Sequence, residues 1–476
     1  MNNDNQKRGA SVDSENRPPE VIVPLIDTHC HLEMPQFDGD REEVIGRAKE
    51  IGFEALITVG SDLEGTFKAL NLAEQYDFIY ASVGVHPHDA KDFSQRSYED
   101  LKEMTNNKKV VAIGETGLDY HYDHSPRDVQ RAVFRRHLAL AKETGLPVIV
   151  HSREAKEDTM AILDESGIDR GVLHCFSGDA EMAEQAMSMG LAISLAGPVT
   201  FKKSAGLREI VRIIPDDYLL VETDAPYLSP EPFRGKRNEP YYMRYTAKYV
   251  AELRGISFGD LARITTLNAK RLFGLGSISE EAAIAYQIRD SLYLNITNRC
   301  TNACSFCVKF RSDFVKGHRL RLGHEPTEGE IIEAIGDPSR YHEVVFCGYG
   351  EPLQRIDVVK DVARWIKRHN GRVRINTNGH ANLIHKRDIM PELKGLVDRI
   401  SVSLDAHDEI TYNRLCKPSY KDAFHEVIGF IRRAKELIPD VQATVVDVEG
   451  VDLEKCRELA EQIGVTLRIR KLDAVG

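Results

Sequence analysis

Short runs of β-branched and other apolar residues alternate with longer amphipathic stretches between residues 21 and 275. Eight such runs follow one another: VIVPLIDTH, EALITVG, FIYASVGVH, VVAIGETG, PVIVHS, GVLHCFS, AISLAGPV and YLLVETDAP. The segments between them, such as PRDVQRAVFRRHLALAKETG, space their apolar residues as amphipathic helices do. Strands that alternate with helices favour a parallel sheet, and eight successive units predict a closed (β/α)8 barrel. A doubly wound open sheet is the alternative.

The same alternation resumes after residue 288 with six further runs. These are SLYLNITN, HEVVFCGYGEP, RVRINTNG, RISVSLDA, VQATVVDV and TLRIRKLD, and helical segments such as DVVKDVARWIKRHN separate them. Six units predict an open, partial (β/α)6 barrel of the α/β class. We call residues 21–275 the first half and residues 288–476 the second half. Residues 276–287 are expected to form a short, partly helical linker.

Composition adds expectations about the ends of the chain and its surroundings. Residues 1–20 are polar, contain proline and lack an apolar segment, so we expect a disordered tail and no signal peptide. No run approaches the roughly 20 apolar residues of a membrane-spanning helix. The eight cysteines are too sparse for a secreted disulfide scaffold, which favours a cytoplasmic protein with reduced thiols. The net charge is −11, and an acidic first half argues against a broad duplex-binding surface.

Histidines and carboxylates stand at the ends of the predicted strands of the first half. A closed barrel would bring all of these strand ends to one rim. A lone histidine there is usually a packed or surface residue, but a whole set indicates a metal centre. Its nitrogen and oxygen donors suit zinc, manganese or, less typically, magnesium, and their number fits two ions bridged by a carboxylate. The set is His29, His31, His86, His88, Glu115, His151, His174 and Asp224.

The motifs of the first half occur together in a known family. DTHCHL, GVHPHD, GETGLDY, HSREA, HCFSG, ETDAPYLSP and RGKRNEP, in that order, closely resemble the TatD family of metal-dependent hydrolases and nucleases. The resemblance implies a barrel with one or two divalent ions. It assigns the first ion to His29, His31, Glu115 and Asp224, and the second to Glu115, His151 and His174.

The same resemblance implies catalytic roles and an activity. Glu115 would bridge the ions, Asp224 would orient or deprotonate the attacking water, and His86 would face the substrate. TatD-like proteins are associated with 3′-to-5′ exonuclease activity on DNA or RNA, so a nucleic acid or nucleotide substrate is expected. A small-molecule amide or ester hydrolase and a barrel that only binds are the alternatives. One departure is His137, where the family pattern leads us to expect glutamine.

Basic residues near the predicted rim could recognise phosphate. They follow the fifth and eighth strands, and arginine binds phosphate in a fork geometry. A solvated basic loop is the alternative interpretation. The residues are Arg153, Arg234, Arg237 and Asn238.

The stretch TNRCTNACSFCV places Cys300, Cys304 and Cys307 directly after the first predicted strand of the second half. Three thiols are an odd number for disulfides and one short of a closed four-cysteine zinc site. A zinc site with a distant fourth ligand and a redox pair with a spare thiol remain alternatives. Iron–sulfur clusters are normally held by four thiolates, so three would leave one iron open to a cofactor or substrate.

This spacing, with Phe306 before the last cysteine, resembles the radical S-adenosylmethionine superfamily. The resemblance implies a [4Fe–4S] cluster, S-adenosylmethionine as the fourth partner and an external electron donor. The cofactor would then yield a 5′-deoxyadenosyl radical. The second half is thus expected to be a radical enzyme of unknown substrate, of the kind found linked to TatD-like hydrolases.

Three further motifs of the second half agree with this resemblance. GYGEP resembles the superfamily's glycine–glutamate element, which would receive the ammonium group of S-adenosylmethionine. RINTNG and SVSLDA would supply the contacts to its ribose and carboxylate. The residues that carry these roles are Gly350, Glu351, Asn376, Asn378, Ser403 and Asp405.

Overall fold

The computed structural model describes residues 23–471 of the chain. The tail predicted for residues 1–20 lies outside this range. Among the helices of residues 23–471, none has the length and hydrophobicity needed to cross a bilayer. The placement in the cytoplasm stays a prediction.

Eight parallel strands form the first half, and their order in the sheet is their order in the chain. The first and last strands meet, because His31 N donates to Ala225 O over 2.7 Å and Asp224 N donates to His29 O over 2.9 Å. The predicted (β/α)8 barrel is confirmed, and the open-sheet alternative is excluded. The strands are β1 (Leu25–Cys30), β2 (Phe53–Val59), β3 (Ile79–Val83), β4 (Val110–Asp119), β5 (Val148–Arg153), β6 (Gly171–Leu173), β7 (Leu191–Leu195) and β8 (Leu219–Val221).

Within residues 23–275 there are nine α-helices, and the last of them closes one end of the barrel. Phe273 and Leu275 pack with the barrel-filling residues Ile26 and Leu220. The rim at the carboxyl ends of the strands is therefore the one that can admit a substrate. The helices are α1 (Arg41–Glu50), α2 (Leu63–Gln75), α3 (Gln95–Met104), α4 (Arg127–Thr144), α5 (Lys156–Ser166), α6 (Ala180–Ser188), α7 (Ala205–Ile213), α8 (Met243–Arg254) and α9 (Phe258–Phe273).

A second sheet, of seven strands, forms the second half in the order β17-β16-β15-β14-β13-β10-β9. Six of its strands are parallel, as predicted, and the linear order leaves the barrel open between β9 and β17. A hairpin of β11 and β12 stands apart from it. The strands are β9 (Ala285–Ile288), β10 (Ser291–Leu294), β11 (Phe314–Val315), β12 (His318–Arg319), β13 (Val344–Phe346), β14 (Val373–Thr377), β15 (Arg399–Ser403), β16 (Asp440–Asp447) and β17 (Thr466–Lys471).

Strand β9 corrects the expectation of a partly helical linker. It pairs antiparallel to β10, so that Tyr286 lies opposite Tyr293. The two rings stack at 5.5 Å, and Tyr286 is buried. Alternate residues of this segment are apolar, which is the strand period, and burial of Tyr286 against its neighbour stabilises the pairing. The predicted domain boundaries themselves stay predictions.

Among the described residues 288–471, seven α-helices cover one face of the second sheet. Alternate strand residues such as Phe346, Ile375 and Val402 form a core with them. The opposite face, which lines the interior of the open barrel, carries the remaining strand residues. The helices are α10 (Glu328–Ile335), α11 (Ile356–Arg368), α12 (Ala381–His385), α13 (Met390–Leu393), α14 (Glu409–Cys416), α15 (Ala423–Leu437) and α16 (Leu453–Ile463).

Candidate functional site

The carboxylate of Glu115, on β4, lies at the centre of the predicted metal centre. Its Oε1 is 2.7 Å from His151 Nδ1, 2.7 Å from His174 Nε2 and 3.4 Å from His86 Nε2. Its Oε2 faces the other way, 3.4 Å from His29 Nε2. One carboxylate thus presents its two oxygens to two groups of histidine nitrogens.

The second group of nitrogens belongs to the first strand. The Nε2 atoms of His29 and His31 are 3.2 Å apart, and His31 Nε2 is 3.5 Å from Asp224 Oδ1. Residues two apart in a strand share a face, which brings these rings together. The converging nitrogen and carboxylate donors fit a divalent cation.

The structure brings seven predicted residues into this one cluster. Sequence reasoning placed His86 toward the substrate, and the structure also sets its Nε2 beside Glu115 and His151. The pKa of His86 is lowered to about 4 by burial, so its ring is neutral and able to act as a ligand. The seven are His29, His31, His86, Glu115, His151, His174 and Asp224.

Burial and charge act against each other at Glu115. Burial works to raise its pKa, but the charge of the neighbouring His174 ring and hydrogen bonds from His151 and His174 hold the pKa well below its usual range. The carboxylate is therefore ionised. It offers the negative charge that a bridging ligand between two cations needs.

Two buried carboxylates behind the histidines were missed by sequence reasoning. Asp119 Oδ2 is 3.2 Å from His151 Nε2 and 3.0 Å from His88 Nε2, and Glu222 Oε1 is 3.5 Å from His174 Nδ1. Carboxylates in such positions fix the orientation of ligating imidazoles. Both residues lie inside the motifs GETGLDY and ETDAPYLSP, so their sequence signal was present in those stretches.

Asp224 lies at the edge of the cluster in a strained backbone conformation. Its φ is +57°, which is rarely adopted by a residue other than glycine. Such strain persists where the surrounding structure imposes it, and it clusters at functional sites. Its side chain remains 13% exposed, so a water molecule can reach it.

A groove of about 1370 Å³ opens directly onto the cluster. Tyr122, Arg153 and Phe176 line it near the histidines. Farther out it follows α7 and reaches Lys471 at the end of β17. The groove therefore extends from the predicted metal centre of the first half to an edge strand of the second half.

The residues predicted to recognise phosphate have different environments. Arg153 lines the groove, whereas the guanidinium of Arg234 stacks over Phe201 at 4.4 Å. Arg237 makes two hydrogen bonds to Asp40, of 2.7 and 2.6 Å. Asn238 is fully buried and donates to two backbone carbonyls. Of the four residues, Arg153 is the one that lines the groove.

The three clustered cysteines lie half-buried on the loop that follows β10 and form no disulfide. The backbone of this loop is bound to the end of α14. Ala303 N donates to Cys416 O and Ser305 N donates to Leu415 O, each over 2.9 Å. The free thiols on a fixed loop fit an iron–sulfur cluster held by three thiolates.

A buried polar network lies beneath this loop. Asn378 Nδ2 donates to Thr301 Oγ1 over 2.8 Å and approaches Cys300 Sγ at 3.8 Å. His380 Nδ1 is 2.9 Å from Thr301 Oγ1, and its Nε2 is 3.0 Å from the hydroxyl of Tyr412. Sequence reasoning missed both His380 and Tyr412, which lie far from the cysteines along the chain.

The GYGEP motif packs against the strand end that leads to the cysteines. A Cβ on Gly350 would come within 2.4 Å of the carbonyl oxygens of Thr297 and Arg299, so glycine permits this close approach. Glu351 is buried and accepts hydrogen bonds from Thr377 Oγ1 and the backbone N–H of Asn378. Burial raises its pKa to about 7. Its role toward an ammonium group stays a prediction.

The remaining predicted cofactor residues stand at the same ends of β14 and β15. The Oδ1 atom of Asn376 is buried and has no hydrogen-bond partner among residues 23–471. Asp405 is 5% exposed, has a φ of +53°, and burial raises its pKa to about 6. Ser403 ends β15 just before it. The structure thus collects these side chains above the open barrel, on the side of the cysteine loop.

Known proteins resemble each half separately. Residues 26–274 match the family described as TatD related DNase, and residues 294–463 match the Radical SAM superfamily. An uncharacterized metal-dependent hydrolase, YabD of Bacillus subtilis, is 51% identical over 52% of this chain and 98% of its own length. The 3′-5′ ssDNA/RNA exonuclease TatD of Erwinia tasmaniensis is 39% identical over 53% of this chain and 100% of its own length.

A solved structure supports the same assignment for the first half. The crystal structure of YjjV, a TatD homologue from Escherichia coli, superimposes with a TM-score of 0.52 at 33% identity. It covers 54% of this chain and 100% of that chain. The chain belongs to the TatD family of metal-dependent hydrolases, and a Radical SAM domain follows its hydrolase barrel.

Proposed function

We propose that the first half is a nuclease that removes nucleotides from the 3′ end of a single strand, and that the second half is a radical enzyme with a [4Fe–4S] cluster. The observation that carries the first proposal is the position of Glu115. Its two oxygens face separate groups of histidine nitrogens, as a bridge between two cations requires. The exonuclease TatD of Erwinia tasmaniensis supports the choice of substrate.

The residues of the first half divide the work of hydrolysis. Divalent ions, when bound, would stabilise the charge that develops on the attacking and leaving oxygens. Glu115 would hold them together with the surrounding histidines. Asp224, at the exposed edge, would accept a proton from the attacking water. Asp119 and Glu222 would keep the histidine rings in place from behind.

The groove favours a strand of nucleic acid over a small metabolite. Its volume of about 1370 Å³ is larger than the 300–1,000 Å³ that is typical of small-molecule pockets. Tyr122 is half-exposed on the groove wall, and the guanidinium of Arg153 lies over its ring at 4.8 Å, where it offers a phosphate contact. The limited number of basic side chains along the groove fits binding to one end of a nucleic-acid strand.

The second half supplies a place for radical chemistry. A cluster held by Cys300, Cys304 and Cys307 would provide the electron that cleaves S-adenosylmethionine. Asn378 would steady the loop through Thr301 and direct an N–H group at Cys300. Gly350, Glu351, Asn376, Ser403 and Asp405 remain the proposed contacts to the cofactor.

The nuclease proposal is tested with a single-stranded oligonucleotide labelled at its 5′ end. Protein purified without oxygen, with magnesium or manganese, should produce a ladder that shortens stepwise from the 3′ end. His151→Ala should abolish the ladder, because it removes a predicted ligand beside Glu115. His324→Ala, an exposed histidine of the second half, is the matched control and should leave it unchanged. A protein with bound metal that leaves the oligonucleotide intact would contradict the proposal.

A further inference from the structure

The interior face of the second half carries arginines that the proposed radical chemistry does not use. On β14, Val373 and Ile375 pack into the helix-covered core, so Arg374 and Asn376 face the interior. The pairing of neighbouring strands extends this alternation of core-facing and interior-facing residues across the sheet to β17. The interior residues relevant here are Tyr293, Arg374, Asn376, Ser401, Arg468 and Arg470.

Arg374 is a fixed positive charge at the base of this interior. It is 5% exposed, and its Nε lies 3.1 Å from Glu343 Oε1. Its second terminal nitrogen donates to the hydroxyl of Tyr293 over 3.1 Å. These contacts hold the guanidinium in one place, as a binding site requires.

Arg468 and Arg470, on β17, are exposed and lack this kind of pairing. Within residues 23–471, neither side chain makes a hydrogen bond or a close ion pair, and Arg470 lies near the buried carboxylate of Asp405. Burial and the nearby guanidinium of Arg374 lower the pKa of Arg468, and Arg470 adds to the effect. Like charges repel one another, and a bound anion relieves that repulsion. An oxyanion with several acceptor oxygens would accept hydrogen bonds from all three guanidinium groups together.

Two buried polar atoms face the same space without partners. The Oδ1 of Asn376 and the Oγ of Ser401 find no hydrogen-bond partner within residues 23–471. These residues are direct neighbours across β14 and β15. Buried polar groups are normally paired. The proposed cofactor would meet Asn376, so Ser401 is the group that a further ligand with hydrogen-bonding atoms would complete.

The groove of the first half reaches the edge strand β17, which carries two of these arginines. Lys471 lines the groove and directly follows Arg470, so its side chain leaves the strand on the face opposite to the arginines. We propose that the interior of the second half binds a phosphate group of its substrate through Arg374, Arg468 and Arg470. The choice of phosphate over carboxylate rests on the proposed nuclease function of the first half.

The test isolates the second half's site within the full-length chain. Glu115→Ala protein, which lacks the central carboxylate of the first half, is loaded with its cluster and S-adenosylmethionine without a reductant. Inorganic phosphate is then titrated by calorimetry, with malonate, a dicarboxylate, as the second probe. Phosphate should bind more tightly than malonate. Adding Arg468→Gln and Arg470→Gln together should weaken phosphate binding at least tenfold, whereas the surface change Arg433→Gln should not alter it.

Three results would overturn the proposal. They are phosphate binding that survives the double change, tighter binding of malonate, and a tenfold loss of S-adenosylmethionine affinity in the double variant. The last would assign the arginines to the cofactor's carboxylate. If the double variant loses iron, the single changes replace it, and each should weaken phosphate binding at least threefold. If phosphate binds here but the wild type produces no nuclease ladder, the nuclease proposal alone is refuted. If the wild type produces the ladder but phosphate does not bind here, this phosphate site alone is refuted.

Discussion

At the scale of single residues, Asp119 contacts and orients two histidines of the barrel rim. Its Oδ2 is 3.0 Å from His88 Nε2 and 3.2 Å from His151 Nε2. Burial works to raise its pKa, but hydrogen bonds from His151 and from the backbone of Tyr122 hold the pKa below its usual range. The ionised carboxylate can therefore fix which nitrogen of His151 faces Glu115.

Asp119→Asn should weaken metal binding without unfolding the barrel. The amide keeps the size of the side chain but loses the charge that orients His151, and such losses typically cost about 10–100-fold in affinity. Titration of the metal-free protein with manganese measures the effect. Asp123→Asn, an exposed carboxylate nearby, is the control. Equal affinity in wild type and Asp119→Asn would show that Asp119 has no part in the metal centre.

His137 shows why a departure from the family pattern can be structural. It is buried, accepts a hydrogen bond from Val85 N over 3.1 Å and lies 2.9 Å from Val133 O. A glutamine amide could make the same two bonds. Burial lowers the pKa of His137 to about 4, so the folded protein keeps the ring neutral.

The His137→Gln variant should therefore be less sensitive to acid than the wild type. The unfolded chain binds a proton to His137 near its ordinary pKa, whereas the folded chain binds it only near pH 4. The stability is fully present above the unfolded pKa and is lost as the pH falls toward the folded one. Between about pH 7 and pH 5 the wild type should lose about 2 kcal/mol more unfolding free energy than the variant. Denaturant unfolding at both pH values measures this, and parallel losses would contradict it.

At the scale of elements, the loop after β10 depends on α14 for its shape. The Tyr412 hydroxyl on this helix is 3.0 Å from His380 Nε2 and accepts a hydrogen bond from Asn302 Nδ2 over 3.2 Å. All three residues are buried. Their hydrogen bonds position the loop that carries the cysteines.

Tyr412→Phe should destabilise the second half and loosen the cysteine loop. It leaves buried polar groups of His380 and Asn302 unpaired, which costs about 1–3 kcal/mol. Thermal unfolding and the iron content after anaerobic reconstitution measure the two effects. Tyr341→Phe is a control that leaves this network intact. Unchanged stability and iron content would mean that the network has no role in holding the loop.

The sequence predicted the regular elements well because their burial pattern repeats. Eight runs in the first half and six in the second correspond to the parallel strands of the two sheets. Strand β9 was missed because its short run stands beside β10 without a helix between them. His380 and Tyr412 could not be predicted, since each acts through contacts with residues distant in the chain.

At the scale of the whole molecule, the two halves meet through polar and aromatic contacts. Arg289 N, in the turn after β9, donates to Asp260 Oδ2 over 3.2 Å. Lys316 Nζ donates to Asp216 Oδ2 over 2.6 Å, and Arg271 lies over the ring of Phe314 at 4.4 Å. Each half nevertheless keeps its own sheet and hydrophobic core. The two predicted metal sites therefore lie in separately packed halves.

The most direct test of two independent centres is the metal content of matched variants purified without oxygen. We expect Glu115→Ala to lose the divalent ions of the first half and to keep about four irons per chain. Cys304→Ala should lose the iron and its brown absorbance and keep the divalent ions. Elemental analysis of the wild type and both variants measures every metal together. Iron retained in full by Cys304→Ala, or divalent ions retained in full by Glu115→Ala, would contradict the assignment of two independent metal centres.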